Sequence, residues 1–397
     1  MEEEARAAGA ALPSLTDGAV ADALRGAARL IGEQRREILA ANAADVEEAS
    51  GRLDEGTLDR LRLDDARVAA LADQLVETAE VEPLEREAAA WTLPNGLRVS
   101  ERRIPIGTVG ANFEARPSVA LDVAGQLLKS LNTGLLRTGG AALRTVTVLV
   151  DEVMRPALEA ARLPGGAVGL VRSPDREGAR ILVSMPQLVP LVVLRGGGET
   201  TAALARLAAE HGVRTLAHAE GGGLLYVHAD ASREKTLAIA AASLDRLGVC
   251  NRLNVCLVDR GAEGLAPDLL ELFASRGIRV RDELGPEWAN DPDPSQVTVC
   301  YLDSVEEAVR IANERTSGLA AAIVTEDPIA ARAFLDGYRG TAGFWNATTR
   351  FTDGFALTGA PETGINVDRT PGPRGPVTYR DLWLRQYHVV GDGSQAR

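Results

Sequence analysis

The chain has 397 residues, of which 45% are apolar and 25% are charged. This is the composition of an ordinary soluble protein, and the length gives room for two or three domains. The 43 basic and 56 acidic residues give a net charge of −13, which argues against a nucleic-acid partner bound through its phosphates. The acidic N-terminus has no apolar signal-peptide core, and no window approaches the roughly 18 apolar residues of a membrane span.

Cysteine, histidine and lysine are all scarce. The three cysteines, Cys250, Cys256 and Cys300, are an odd set without paired spacing, which argues against disulfides and is typical of the reducing cytoplasm. Four histidines without a CxxC or HExxH motif give no reason to expect a metal site. Lysine occurs only at Lys129 and Lys235 among the 43 basic residues, so a lysine inside a motif is of interest.

The N-terminal part of the chain is predicted to be helical. Apolar side chains recur at helical spacing over residues 24–39 and 58–75. The Asn95-Gly96 pair, between two short alternating runs, then predicts a β-hairpin, because both residues tolerate the positive φ of a type I′ turn. Such a hairpin is either an assembly element or a plain surface feature.

From Ile104 onward, short apolar segments alternate with helical ones. Strands are predicted at 106–113, 134–137, 188–194, 224–227, 255–259, 296–302, 320–325 and 384–390, and helices at 119–130, 145–161, 234–247, 267–276 and 305–313. This alternation predicts doubly wound parallel sheets. The glycines at 196–198 and 221–223 lie where a phosphate-bearing ligand usually binds, although a turn or a helix cap explains them equally well.

Cys250 is the one cysteine outside a strand pattern. It lies in a turn between a predicted helix and an apolar strand. A thiol that faces backbone amides has a lowered pKa and acts as a nucleophile, whereas many cysteines in such places are buried filler. Cys256 and Cys300 lie within strands and are expected in the core.

Longer motifs connect the chain to one family. Residues 103–122, Arg-Ile-Pro-Ile-Gly-Thr-Val-Gly-Ala-Asn-Phe-Glu-Ala-Arg-Pro-Ser-Val-Ala-Leu-Asp, closely resemble a stretch of the γ-glutamyl phosphate reductases (glutamate-5-semialdehyde dehydrogenases), of the aldehyde dehydrogenase superfamily. Further motifs follow the family order over almost the whole chain: Ala41-Asn-Ala-Ala-Asp, Pro94-Asn-Gly-Leu, Leu127-Leu-Lys-Ser, Leu136-Arg-Thr-Gly-Gly, Arg195-Gly-Gly, Val249-Cys-Asn, Trp345-Asn-Ala-Thr-Thr-Arg-Phe-Thr-Asp-Gly and Arg374-Gly-Pro. The chain is therefore identified as a divergent member of this family.

The resemblance implies an aldehyde dehydrogenase-like α/β fold and the reduction of an acyl phosphate. In this chemistry a cysteine thiolate attacks the activated carbonyl, phosphate leaves, and NADPH reduces the resulting thioester to an aldehyde. Cys250 matches the family nucleophile, and the resemblance implies catalytic roles for Ser118 and Asn251 beside it. The default substrate is L-glutamyl 5-phosphate, an intermediate of proline biosynthesis.

The resemblance also implies residues that bind the cofactor and the substrate. For NADP(H) they are Arg137, Gly139, Arg195, Gly196, Gly197, Gly221, Gly222 and Asp291. For the substrate they are Glu114, Arg116, Lys129, Asn346 and Arg350. A fixed guanidinium suits an anionic phosphate or carboxylate, because it donates two parallel hydrogen bonds. The alternative for the charged residues is an ordinary ion pair at a strand end.

Several family positions carry different residues. Ser118 stands where the family has an asparagine expected to donate to the oxyanion, and losing one such donor lowers the rate by about 10²–10³. Ser243 replaces a lysine, and Asp291 stands where a glutamate is expected to hold the nicotinamide ribose. Ala217 occupies the place of the water-activating glutamate of hydrolytic relatives, with Glu220 nearby as a substitute or a solvated loop residue. Without that base, transfer to phosphate is favoured over hydrolysis.

These observations predict three parts and leave three functions open. The parts are an NADP(H)-binding domain (1–88 and 104–245), a catalytic domain (246–376) and an oligomerisation arm (89–103 and 377–397). The leading function is NADPH-dependent reduction of L-glutamyl 5-phosphate. The alternatives are reduction of a different acyl phosphate or carrier-bound acyl group, and a catalytically weak structural partner of an acyl-phosphate-forming kinase. Expected partners are the small-molecule substrate, further copies of the chain in a homodimer or homotetramer, and a glutamate-kinase-like enzyme.

Overall fold

The computed structural model describes residues 1–218, 221–245, 249–285, 287, 295–368, 370 and 372–395. Residues 1–80 form the predicted helical layer. Its helices are α1 Glu2–Ala11, α2 Asp17–Glu33, α3 Arg35–Ala49, α4 Glu55–Leu61 and α5 Asp65–Glu80. The side chains of Thr16, Asp54 and Asp64 accept hydrogen bonds from the first turns of α2, α4 and α5, so these helix starts are capped by the sequence itself.

The predicted hairpin is confirmed, but its turn is not of type I′. Strands β1 Glu87–Thr92 and β2 Arg98–Pro105 pair antiparallel, and the register ends at Thr92 opposite Arg98. Five residues therefore connect the strands instead of two. Of the Asn95-Gly96 pair only Gly96 has a positive φ, 87°, whereas a type I′ turn needs positive φ at both positions.

The middle of the chain forms a parallel sheet with helices on both faces. Its elements are β3 Thr108–Phe113, α6 Pro117–Lys129, β4 Thr133–Thr138, α7 Leu143–Val148, α8 Arg155–Ala160, β5 Val168–Leu170, α9 Arg176–Leu182, β6 Leu191–Arg195, α10 Gly198–His211 and β7 Arg214–His218. The strand order is β5-β4-β3-β6-β7. Val193 packs with α2, α5 and α6 on one face, and Val192 packs with α9 and α10 on the other, as the alternation of side chains along a strand requires.

One predicted helix is interrupted. The segment 145–161 is predicted as a single helix, but a π-helical turn at Leu149–Met154 separates α7 from α8. Pro156 follows that turn. Proline has no N–H to donate and its ring crowds the preceding turn, which accounts for the wider turn before it.

The next part of the chain forms a second parallel sheet. Its elements are β8 Gly223–Val227, α11 Arg233–Ala242, β9 Leu253–Asp259, α12 Ala266–Ser275, β10 Arg279–Arg281, β11 Gln296–Leu302, α13 Val305–Glu314, β12 Ala320–Val324, α14 Pro328–Gly337 and β13 Ala342–Trp345. The order is β10-β11-β9-β8-β12-β13. Helix α11 ends before the predicted Leu247, because the Ser243 carbonyl accepts a hydrogen bond from Leu253 N at 3.0 Å and turns the chain towards β9.

The C-terminal elements return to the rest of the chain. They are α15 Gly354–Thr358, β14 Gly364–Asn366, β15 Gly375–Val377 and β16 Trp383–Val390. Strand β16 pairs antiparallel with β2 and completes the sheet β1-β2-β16, called the arm below. The predicted doubly wound α/β architecture is thus confirmed, while the domain boundaries stay a prediction. None of the described helices is long and apolar enough to cross a membrane.

Candidate active site

The two parallel sheets meet end to end. Glu114 and Arg116 follow β3 and Arg195 ends β6, so they lie at the carboxyl edge of the first sheet. Cys250 precedes β9 by three residues and lies at the amino edge of the second sheet. The charges of Arg195 and Arg116 act on the Cys250 thiol. We call the region of Glu114, Arg116, Asp122, Arg195, Cys250 and Glu362, whose charges act on one another, the cleft.

The environment of Cys250 both hinders and helps ionisation. Its side chain is partly buried beside Leu319, Ala320 and Ile365. Burial, with a smaller contribution from Glu362, raises the pKa of the Cys250 thiol to about 11, although the charges of Arg195 and Arg116 lower it. Loss of water around the sulfur therefore disfavours the thiolate, and the positive charges of the two arginines favour it.

Asn251 and Arg350 anchor the Cys250 loop. The Asn251 amide donates to the carbonyls of Arg350 and Thr352 at 3.1 and 3.0 Å. Arg350 in turn donates to the Asn251 side-chain oxygen, and its Nε lies 2.7 Å from Asp245. These residues, for which the family resemblance implies roles in catalysis and substrate binding, lie next to Cys250 and connect its loop to the 349–352 segment.

The three glycines at the start of β8, Gly221 to Gly223, are required by close packing. A Cβ on Gly222 would collide with the Asn254 side chain, and one on Gly221 would lie 2.9 Å from Leu319. At Gly223 a Cβ would lie 2.5 Å from Oγ1 of Thr349 and 3.1 Å from the Asn251 carbonyl. Packing thus supplies a reason for glycine here that is independent of any bound phosphate.

Replacement of Gly223 by alanine is expected to lower the free energy of unfolding by about 1–3 kcal/mol, because the new methyl group displaces the backbone that carries Cys250. Urea unfolding measures the change. Gly264→Ala is the matched control, since nothing lies within 4 Å of its Cβ position. Equal stability of the two variants would contradict the packing argument.

Arg116 and Arg195 bring positive charge into the cleft. Burial, Arg60 and Arg195 lower the pKa of Arg116 to about 10, and its Nε makes no hydrogen bond to a described residue. Arg195 donates from Nη1 to the Thr363 carbonyl at 3.1 Å, which connects the first sheet to the strand β14 segment. The two guanidinium groups therefore place positive charge beside the thiol.

The carboxyl edge of the first sheet also fits a dinucleotide. Gly139 follows β4, and Gly196 and Gly197 follow β6. Gly197 is the N-cap of α10 and supplies no capping side chain, so the first amides of α10 are free to meet a phosphate. Arg137 is buried at the end of β4, with Nη1 3.2 Å from Asn112 and Nη2 2.9 Å from the Asp175 carbonyl.

Some predicted site residues do not reach the cleft. Lys129 is only 2% exposed and donates from Nζ to the Ala79 carbonyl at the end of α5, at 3.0 Å. Asn346, with φ 51°, directs its amide to the Thr325 backbone at 3.0 Å. Asp291 and Glu220 lie outside the described residues. No three His, Cys, Asp or Glu side chains of the described chain group as a metal site.

Two carboxylates of the cleft, Asp122 and Glu362, were not among the site residues predicted from the sequence. Asp122 lies one turn after Ser118 on α6, and Glu362 accepts a hydrogen bond from Gly354 N at 2.9 Å. Burial raises the pKa of Asp122 to about 7, with Glu362 raising it and Arg195 lowering it. An acidic residue four positions after Ser118, within an apolar helical run, is the sequence feature that could have identified Asp122.

Comparison with known proteins gives a consistent result. The γ-glutamyl phosphate reductase of Clavibacter michiganensis is 36% identical over 415 residues, which cover 98% of this chain and 93% of the relative. The crystal structure of the γ-glutamyl phosphate reductase of Thermotoga maritima superposes with a TM-score of 0.92 at 27% identity, covering 100% of this chain and 99% of that one. No protein-family model matches the chain.

More distant structures share the fold alone. An acetylating aldehyde dehydrogenase from Geobacillus thermoglucosidasius has a TM-score of 0.72 at 17% identity, covering 100% of this chain and 96% of that one. An engineered glycolyl-CoA reductase with bound NADP⁺ has a TM-score of 0.73 at 15% identity, and the match covers 98% of this chain and 96% of that one. With these similarities over nearly its whole length, the chain has the aldehyde dehydrogenase fold and belongs to the γ-glutamyl phosphate reductase family.

Proposed function

We propose that this chain reduces L-glutamyl 5-phosphate to the semialdehyde, with release of phosphate, through a thioester on Cys250. The observation that carries the proposal is the position of the Cys250 thiol beside two arginines, Arg195 and Arg116, at the meeting of the two sheets. The relatives named γ-glutamyl phosphate reductase support the substrate and the product. A glutamate-kinase-like enzyme would supply the labile acyl phosphate.

The residues of the cleft have separate roles in the first step. Arg116 and Arg195 hold the anionic phosphate and favour the Cys250 thiolate, since both charges lower the pKa of its thiol. The sulfur attacks the acyl carbon, the oxyanion forms near Ser118 and the N-terminal end of α6, and the C–O bond to phosphate breaks. Asn251 and Arg350 keep the sulfur in position through the loop contacts.

The proposed hydride donor is NADPH. Gly139, Arg137, Gly196 and Gly197 would hold it at the carboxyl edge of the first sheet, and the related fold that binds NADP⁺ supports this choice. When bound, NADPH would supply a hydride to the thioester carbon, and cleavage of the C–S bond would then release the semialdehyde and return Cys250 as its thiolate. At the position of a water-activating glutamate this chain has Ala217, buried at 6% exposure in β7, so the thioester has no base there to promote hydrolysis.

A direct assay tests the proposed function. The protein is mixed with L-glutamate 5-semialdehyde, phosphate and NADP⁺, and the absorbance of reduced nicotinamide is followed. We expect turnover that depends on all three components. Absence of turnover, or turnover that does not need phosphate, would overturn the proposal. Turnover only with another aldehyde would favour the specialised homologue instead.

We also propose that the chain forms a homodimer or homotetramer through the arm. Trp91 and Tyr387 pack edge to face at 6.1 Å between centroids and are 41% and 50% exposed. Val389 beside them is 54% exposed. Exposed apolar side chains on one sheet are typical of an assembly surface.

Sedimentation equilibrium is expected to give a mass of two or four chains, and Tyr387→Glu is expected to shift it towards a single chain. Ile329→Glu, at an exposed apolar residue of α14, is the matched control and should leave the mass unchanged. A monomeric wild-type protein would contradict the proposal.

A further inference from the structure

The segment 348–352 packs against the loop that carries Cys250. Three hydrogen bonds join this segment to the side chain of Asn251, the residue after the nucleophile. A fourth bond is different, because Oγ1 of Thr349 donates to the backbone carbonyl of Asn251 at 2.8 Å. Thr349 is therefore the residue of this segment whose side chain holds the main chain next to Cys250.

The bond from Thr349 is buried and has no substitute. Thr349 and Asn251 are 1% and 5% exposed, and the Asn251 carbonyl accepts no other hydrogen bond from a described residue. The next carbonyl, that of Arg252, accepts from Gly223 N at 2.6 Å. Because β9 begins at Leu253, these two bonds fix the backbone between the thiol and the second sheet. A buried carbonyl without a donor is unfavourable, so the loop is expected to shift if the Thr349 hydroxyl is lost.

The 348–352 segment is itself held in place at the end of α11. Oγ1 of Thr348 lies 2.8 Å from Oγ of Ser243, and Nε of Arg350 lies 2.7 Å from Asp245. The Thr349 hydroxyl also lies against β8, where a Cβ on Gly223 would be only 2.5 Å from it. The position of this hydroxyl is thus set from two sides, and the hydroxyl in turn sets the position of the Cys250 loop.

We propose that Thr349 is a positioning residue for the Cys250 thiol, whose hydroxyl fixes the Asn251 carbonyl and so holds the sulfur in line with the acyl carbon. This inference rests on the proposed function, in which Cys250 is the nucleophile. It adds a residue that was not among the predicted site residues and that acts on the sulfur through Asn251. A displacement of about 1 Å at a reacting atom lowers the rate about 100-fold.

Thr349→Val removes the hydroxyl and keeps the shape of the side chain. In the assay with L-glutamate 5-semialdehyde, phosphate and NADP⁺, kcat is expected to fall about 10- to 100-fold while KM stays nearly unchanged, because the proposed contacts of the substrate with Arg116 and Arg195 remain. Thr349→Ser keeps the hydroxyl and should recover most of kcat. Thr349→Ala, which removes the hydroxyl without placing a methyl group against Gly223, is a second variant and should behave like Thr349→Val.

Thr352→Val is the matched control. Thr352 belongs to the same segment and is 0% exposed, but its Oγ1 makes no hydrogen bond to a described residue. Its bond with the Asn251 amide uses the backbone carbonyl, which the substitution keeps. The control should therefore have the wild-type kcat. Equal losses in Thr349→Val and Thr352→Val, or a Thr349→Ser protein as slow as Thr349→Val, would overturn the proposal.

Alkylation by iodoacetamide, followed on the Cys250 peptide by mass spectrometry, separates this inference from the proposed function because it needs no substrate. Without the Thr349 hydroxyl the thiol is no longer held beside Arg195 and Arg116, whose charges favour the thiolate. The rate for Thr349→Val at a fixed pH below the thiol pKa should fall about 3- to 10-fold, and Thr352→Val should react like the wild type.

The two measurements fail in different ways. If the wild type does not turn over the semialdehyde but Thr349→Val is alkylated more slowly than Thr352→Val, the proposed reaction fails and the positioning role of Thr349 stands. If the wild type is active but the two variants are alkylated at the same rate, the role of Thr349 fails and the proposed reaction stands.

Discussion

Cys250→Ala is expected to lower kcat for semialdehyde oxidation by about 10⁴–10⁶, because removal of a nucleophile leaves only the contributions of binding and oxyanion stabilisation. The assay is phosphate-dependent formation of reduced nicotinamide. Folding should be unaffected, since Cys250 is only partly buried and fills little of the core.

Cys300→Ala is the matched control for this variant. Cys300 is also half-buried, but it lies on β11 with its Sγ 3.6 Å from the Asp282 carbonyl, away from the cleft. Its replacement should leave kcat unchanged. Mass spectrometry adds an independent readout, because the wild type mixed with semialdehyde and NADP⁺ without phosphate should carry an acyl adduct on Cys250. Retained activity in Cys250→Ala would contradict both the thioester and the reductase function.

Arg116→Gln is expected to lower kcat/KM by about 10²–10³, the usual effect of losing one charged group that stabilises a transition state. The same substitution should raise the pKa of Cys250, since the Arg116 charge lowers it. Alkylation of the thiol by iodoacetamide, measured against pH, reports this shift: the rate at a fixed pH below the thiol pKa should fall, because less thiolate is present.

The control for Arg116→Gln is Arg206→Gln. Arg206 is an exposed residue of α10, and its charge is not among those that act on Cys250. Both kcat/KM and the alkylation profile should stay as in the wild type. An Arg116→Gln protein with an unchanged alkylation profile would contradict an electrostatic role of Arg116 at the nucleophile.

The charges of the cleft have opposite effects on the Cys250 thiol. Arg116 and Arg195 favour the thiolate, whereas Glu362 opposes it. Ser118 replaces the asparagine of the family and is a shorter donor to the oxyanion. Because it leaves the charges of the cleft unchanged, we expect it to lower the rate and not to change the substrate class.

Local patterns in the sequence were sufficient for most elements. The alternation of apolar residues predicted β11 at Gln296–Leu302 with its observed bounds and most other strands within a few residues. The short strands β5 and β10 were not predicted, and two helix predictions were wrong where a distant contact or a proline intervened. Helix α11 ends early because Ser243 bonds to Leu253, and the 145–161 helix is interrupted at the turn before Pro156.

The site could be predicted only in part. The motif around Cys250 identified the candidate nucleophile. Asn251, the next residue, is hydrogen-bonded to Arg350, another residue of the predicted site. Lys129, in contrast, attracted attention because lysine is rare, yet it lies against α5. The Leu127-Leu-Lys-Ser motif lies on a helix. The direction of each side chain on that helix depends on how the helix packs against its neighbours, which the motif does not show.

The alternation of strands and helices, the hairpin and the family could be inferred from local patterns, because these features depend on residues close together in the chain. Which side chains share the cleft depends on contacts between distant parts of the chain. Arg195 meets Thr363 across 168 residues of sequence, and Asn251 meets Arg350 across 99 residues. Such juxtapositions follow from the packing of two sheets end to end, and no local periodicity encodes them.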